Sequence, residues 1–451
     1  MSGDKELTKG NIGSTLLLFS LPMICGNILQ QLYQVADTII VGKTLGAAAL
    51  SAVGSSYALM VLLTSITLGL CMGSGVVFAQ LYGGKRIEEM KIAFFNSLLF
   101  ILAFTFLLNL TAYLLLENCL IWLSIPSEAI EYTRDYLQVM FLGLGFVALY
   151  NFFAAVLRSI GNTLVPLIFL AISAVVNIAL DLLFILVFRW EEMGAAAATV
   201  IAQALSAVCL ILYFFKTEKQ FLPQKKHCHY HPGLLWEIIK NSALTALQQS
   251  VMNLGILMVQ GLVNRFGFAA SAAFAAVVKI DAFAYLPAQD FGNGFATFVA
   301  QNYGAGNEER ILRGKRIAIG YTTAFCILSS VLVLLFSKEL MLLFVEQGET
   351  EILEIGIQYL HIEGAFYFAI GILFLLYGYY RGLGKPWISL KLTIISLGTR
   401  VALAYLLSAI PQVGLTGIWW AVPIGWILAD LVGLFQAAPK QRANIDQAAH
   451  K

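Results

Sequence analysis

Long apolar runs alternate with short polar breaks along almost the whole chain. Twelve runs are long enough to cross a bilayer as helices, which takes about 20 residues. They cover 14–40, 47–81, 92–116, 130–157, 163–188, 194–215, 237–264, 268–302, 315–337, 353–380, 386–410 and 414–437. Several exceed the minimum, so tilt or extension beyond the hydrocarbon layer is expected. The pattern predicts an all-α polytopic membrane protein. A transmembrane barrel would instead show shorter segments of strict alternation.

The breaks between runs differ in charge. One alternate set holds about twenty Lys and Arg residues, in the N-terminal tail (Lys5, Lys9), 82–91, the turn at Arg158, 216–240, 310–316, Arg381/Lys385 and the C-terminal tail. The other set holds about five: Lys43, Arg134, Arg189, Arg265 and Lys338. That second side is acidic instead, as in VEQGETEILE at 345–354. Basic loops stay on the cytoplasmic side, so both termini are predicted cytoplasmic, as an even number of spans requires.

The chain also repeats. FAQLYGGKRIEE (78–89) matches VAQNYGAGNEER (299–310), RSIGN (158–162) matches RGLGK (381–385), Gly46 aligns with Gly267, and Gly194 with Gly417. The offset stays near 221–223 residues, which predicts two six-helix lobes. Six is even, so both lobes enter the membrane in the same sense, a parallel repeat with its pseudo-two-fold along the membrane normal. The expected organisation is a tail (1–13), an N-lobe (14–215, helices 1–6), a linker (216–236), a C-lobe (237–438, helices 7–12) and a second tail (439–451). A central cavity between such lobes is the expected transport site, with rocking as the motion.

Composition agrees with this class. The 451 residues are 59% hydrophobic and 12% charged, with mean hydropathy +0.80, whereas soluble domains carry about 25% charged residues. A net charge of +2 gives no footing for nucleic-acid binding. Six scattered cysteines, mostly in apolar runs, read as small hydrophobes. No signal-peptide pattern precedes the first run, so insertion through the first helix is expected. HCHYH (227–231) has metal-ligand residue types without site spacing, and GLCMGSG (69–75) lacks phosphate-loop spacing and reads as a close-packing stripe. Without a Walker or HExxH motif, an ATP-driven pump or an enzyme is not expected.

Polar residues inside the runs carry the chemistry. Asn177 and Asp181 lie four apart, on one helix face. An aspartate in mid-membrane costs roughly 2.5–3.5 kcal/mol on insertion scales, so it faces the bundle interior and has a partner. Asp37 is the other acid deep in the first half, and the two are expected to meet. At the repeat offset Asp37 corresponds to about Met258, Asn177 to Arg400, Asp181 to Ala404 and Thr199 to Val422, so this acid pair is not duplicated. Two carboxylates in low dielectric need a proton or a cation between them; the Asn177 amide and Thr199 hydroxyl add oxygens that suit sodium. Pro22 in helix 1 removes a backbone donor and reads either as a static kink or as a bending point. In the second half Lys279, Asp281, Asp290, His361, Glu363 and Arg400 form an expected buried polar network, which either fixes helix packing or lines a cavity. Lys279 and Asp281 are two apart and must find partners on other helices, Glu363 and Arg400 being the candidates. Asp430 reads as structural.

SLPM (20–23), YQVADTIIVG (33–42), FAQLYGGK, LRSIGN, NIALD and GAAAAT (194–199) resemble the multidrug and toxic compound extrusion (MATE) family, most closely its bacterial DinF-like branch. The resemblance covers nearly the whole chain. It implies export of organic, often cationic compounds in exchange for protons or sodium. It also implies an N-lobe cation site at Asp37, Asn177, Asp181 and Thr199, with Tyr33, Tyr136 and Asn151 nearby, and Pro22 marking a bending helix. The NorM-like branch has a glutamate in helix 7 and an aspartate in helix 10. Here those places hold Gln248, Gln249 and Met252, and Ile370, so the coupling ion stays open between H⁺ and Na⁺.

The expected protein is a secondary antiporter for small amphipathic organic cations. It needs no cofactor or nucleic acid, and sits as a monomer in a bacterial cytoplasmic (inner) membrane. Two rivals remain. A lipid-linked oligosaccharide flippase or polysaccharide exporter of the same superfamily would favour a basic cavity, but Lys279 and Arg400 are offset by acids. An intramembrane aspartyl protease would need a motif such as GxGD, which neither aspartate has.

Overall fold

A computed structural model describes residues 6–45, 47–122 and 130–448. Gly46, Lys5 and the outermost residues of both tails lie outside that range. Among the described residues the secondary structure is helical. In chain order the helices are α1 (Ile12–Leu45), α2 (Ala47–Gly83), α3 (Ile87–Leu114), α4 (Leu116–Trp122), α5 (Ile130–Ser159), α6 (Leu164–Asp181) and α7 (Glu191–Thr217). Then follow α8 (Pro232–Val263), α9 (Phe268–Gly304), α10 (Glu308–Leu335), α11 (Ser337–Met341), α12 (Thr350–Gly364), α13 (Tyr367–Gly382), α14 (Pro386–Ser408) and α15 (Gly414–Ala448). Among the described residues eleven helices are long and apolar enough to cross a membrane, and a bent pair, taken as one span, makes twelve.

Two of the predicted spans are not regular helices. The run 163–188 is α-helical only to Asp181; Leu182–Val187 continues as a π-helix. There the Phe188 N–H donates to the Leu183 carbonyl (3.1 Å), five residues back. The run 353–380 is broken into α12 and α13, which meet at 53°. No proline lies at this break, but Glu363 and Gly364 do, and the Phe366 N–H donates to the Glu363 carbonyl (3.0 Å) instead of continuing the helical ladder. Hydropathy averages over both irregularities.

The helices form two compact units. One comprises Leu21–Gln249 with Ala300–Gly306 and the segment ending at Lys9; the other comprises Gly10–Ser20, Ser250–Val299 and Asn307 onward. In the first unit an aromatic cluster of Phe94, Phe152, Phe153 and Phe214 ties α3, α5 and α7 together, with ring centroids 5.1–5.8 Å apart. The GLCMGSG stripe acts as expected of small residues in lipid. A Cβ at Gly69 or Gly73 would collide with the backbone of Ala246 or Ser242 on α8. At this crossing the Ser242 hydroxyl donates to the Leu70 carbonyl (2.9 Å). In the second unit Phe274, Tyr359 and Trp419 stack across α9, α12 and α15.

The repeat persists in local geometry. Gly161 and Gly384 both have positive φ (98° and 69°), where glycine alone is unstrained. Asn162 N–H donates to Leu157 O and Lys385 N–H to Tyr380 O, each at 2.9 Å. Lys85 and Gly306 end α2 and α9 with the same hand (φ 56° and 71°). The linker is ordered: α7 gives way to two 3₁₀ turns, and Phe221 and His227 are buried. His227 Nδ1 accepts from the Gln224 N–H (2.9 Å), which leaves Nε2 to donate to Glu88 (2.9 Å).

Candidate functional site

The first unit brings the predicted N-lobe residues together. α6 turns its buried face inward with Asn177 and Asp181 one turn apart, while Ile168, Ile172 and Val175 on the other face are exposed. Asp181 is fully buried and ends the α-helical part of its span at the π-helix. Helix irregularities of this kind collect at functional sites. α1 contributes Asp37, whose carboxyl lies within hydrogen-bonding reach of the Asp181 carboxyl. α7 contributes Thr199, whose hydroxyl accepts from the Asn177 amide at 3.4 Å. Around them, Asp37 Oδ1, Asn177 Oδ1 and both Asp181 oxygens are buried without a hydrogen-bond donor.

Two carboxyl groups in contact are both acceptors when ionised, so neither satisfies the other. One proton between them would make a donor. A small cation among the four orphan oxygens would serve equally, since hard cations take oxygen ligands. The donor set therefore fits either coupling ion. No group of three or more His, Cys, Asp or Glu able to hold a metal occurs among the described residues, so a sodium ion would depend on the Asn177 and Thr199 oxygens as well.

Tyr33 stands one turn before Asp37 and within electrostatic reach of it, and Tyr136 on α5 is within reach of both aspartates. Asn151 stands on the same helix as Tyr136, next to Tyr150, which is within electrostatic reach of Tyr33. Asn151 lies about 22 Å along the helix axis from Tyr136, at 1.5 Å per residue, and its amide donates to the Val147 carbonyl on its own helix (2.9 Å). Pro22 lies inside an unbroken α1, fifteen residues before Asp37.

The expected second-half network resolves into one cluster and three outsiders. Asp281 (α9) meets Glu363 (α12) carboxyl to carboxyl, with Arg400 (α14) in electrostatic reach of both. The Tyr367 hydroxyl donates to Asp281, and the Tyr359 hydroxyl is hydrogen-bonded to Glu363. Lys279 is exposed, on the far side of α9 from Asp281, so it is not the buried charge the sequence pattern predicts. His361 pairs with the Ser337 hydroxyl at 3.0 Å. Asp290 lies nine residues, about 13 Å, further along α9. The first acid pair is not duplicated at the repeat positions, which hold Met258 and Ala404. A second pair exists, at positions the repeat does not relate to the first, which is why alignment of the halves missed it. The tyrosines of this cluster were missed too, although each stands four residues from an acid: Tyr285 from Asp281, and Tyr359 and Tyr367 from Glu363.

The MatE family model matches residues 22–183 and again 243–406. The chain belongs to the MatE family. The second match is displaced from the first by 221 residues at its start and 223 at its end, the offset of the internal repeat. MatE proteins are transporters rather than enzymes, and this one is a multi-pass membrane protein. It is 31% identical over 392 residues to a probable multidrug resistance protein, YpnP, of Bacillus subtilis, covering 87% of each chain. It is 28% identical over 433 residues to the probable multidrug resistance protein NorM of Thermotoga maritima, covering 93% of this chain and 90% of that one. Its fold superposes on a MATE transporter crystallised with MaL6 with a TM-score of 0.91 at 21% identity, covering all of both chains.

Proposed function

We propose that this MatE protein is a secondary active multidrug efflux antiporter of a bacterial cytoplasmic membrane. It exports organic, often cationic compounds in exchange for protons or sodium. Relatives named as multidrug resistance and multidrug export proteins support the drug-export part. The observation behind the exchange is the Asp37–Asp181 carboxyl pair, buried with four orphan oxygens. At an effective dielectric of about 20, two unit charges about 4 Å apart repel by about 4 kcal/mol. A proton or sodium ion entering from outside relieves that repulsion, and a cationic substrate entering from inside competes for the same charge. Asn177 and Thr199 complete the cation site, and Tyr33 and Tyr136 border it. Both termini face the cytoplasm, as the basic loops require.

The test is export of a fluorescent organic cation from proteoliposomes under a proton gradient alone and a sodium gradient alone. Wild type and Asp181→Asn are compared. Export driven by one gradient and lost in the variant supports the reading and names the ion. Undiminished export by Asp37→Asn and Asp181→Asn alike sinks it. No export of any cation under either gradient moves lipid-linked substrates to the front.

A further inference from the structure

The Asp281–Glu363 cluster lies wholly within the second unit, apart from the cation site just described. Its position in the backbone is unusual. Glu363 is in the last turn of α12 and Tyr367 opens α13, so the two flank the 53° break. Asp281 touches both, holding Glu363 through the carboxyl contact and Tyr367 through its hydroxyl. One side chain of α9 thus clasps the break from both sides. The corresponding span of the first half, α5, runs through without interruption.

The occupant of this cluster follows from charge and space. Asp281 and Glu363 are each 2% exposed, which leaves no room for an organic molecule, whereas a proton needs none. Arg400 supplies one positive charge against two carboxyls and opposes entry of a metal cation. The other ionisable groups facing the pair are the hydroxyls of Tyr285, Tyr359 and Tyr367. A tyrosine hydroxyl donates only one hydrogen bond, and Glu363 Oε2 still lacks a donor. Arg400 balances one carboxylate, and the contact between the two carboxyls persists only while a proton lies between them.

We propose that the Asp281–Glu363 pair is a second proton site, and that its proton holds the bend between α12 and α13. Loss of the proton leaves two adjacent carboxylates with one guanidinium. Glu363 then moves from Asp281 while Tyr367 stays hydrogen-bonded to it, and the angle at Gly364–Phe366 changes. This extends the transport reading with a gate but does not need that reading to be tested.

The experiment is hydrogen–deuterium exchange in lipid nanodiscs at acid and alkaline pH, corrected for intrinsic exchange, read on peptides covering 358–370. Wild type is expected to lose protection there by roughly tenfold or more on going alkaline. Glu363→Gln and Asp281→Asn, which keep shape and remove one charge, are expected to hold the acid-form protection at both pH values, and Asp37→Asn to behave as wild type. Peptides from α10 and α15, in the same unit, report whether each variant is folded. Equal protection of the wild-type segment at both pH values overturns the proposal without any variant. So does retained pH dependence in folded Glu363→Gln. Failure of drug export leaves this readout unaffected, so the two readings stand or fall separately.

Discussion

If Asp37 and Asp181 bind one cation together, their replacements must not add. Contact between the two carboxyls puts the charges about 4 Å apart, a repulsion of about 4 kcal/mol at an effective dielectric of about 20. The cation relieves this on binding, so the pair gains it as affinity, about a thousandfold at 1.4 kcal/mol per factor of ten. Asp37→Asn removes the repulsion and with it the reason to bind; so does Asp181→Asn. Each variant is expected to weaken the dependence of export on the driving cation by roughly 10²–10³-fold. The double variant is expected to be no worse than the weaker single, a coupling of several kcal/mol in the double-mutant cycle. The assay is initial export rate in proteoliposomes against the concentration of the ion that drives wild type. Losses that multiply in the double variant would mean two independent sites, and the shared-cation argument would be wrong. A single variant within threefold of wild type would refute it equally.

Two further outcomes test the frame that holds the site. Gln301, fully buried, accepts from the Leu7 N–H (3.0 Å) and donates to the Ser159 carbonyl (2.7 Å); Gln301→Leu strands both backbone groups and should cost about 2–6 kcal/mol at 1–3 each, seen as earlier loss of folded protein on heating in detergent. Glu88 holds the linker through Lys226 (2.7 Å) and His227 (2.9 Å), so Glu88→Ala should speed tryptic cutting at Lys225 and Lys226, and unchanged cutting would assign the linker's order to Phe221 alone.

The spans were legible because lipid demands about 20 apolar residues in a row, and that demand leaves a plain trace. The first acid pair was legible for the same reason, since Asp181 stands out in an otherwise apolar helix and Asn177 sits one turn away. The terminating glycines were legible as a repeat before their positive φ values were seen. What hydropathy could not give was backbone irregularity. The π-helix at Leu182–Val187 and the break at Gly364–Phe366 change hydrogen-bond partners without changing average polarity. The second acid pair was half legible. Its members were visible as buried charge, and the two-residue separation that sets Lys279 and Asp281 on different sides of a helix pointed Asp281 to Glu363 and Arg400, both of which it meets; that the contact with Glu363 is carboxyl to carboxyl was not legible. The spacing of four between each acid and a tyrosine was the signal left unused.

The π-helix after Asp181 has a consequence for how such a chain diversifies. A π-turn shifts the hydrogen bonds of a helix by one residue over a single turn, and such turns are frequent at functional sites. In the first half the π-turn sits against the acid; in the second half the irregularity sits against a different acid on a different span. A duplicated chain is in effect a pair of paralogues joined end to end, each free to accept irregular turns and breaks that the other does not share. Division of labour between originally equivalent copies can then be written in backbone hydrogen bonding alone, with no change in the length of either span.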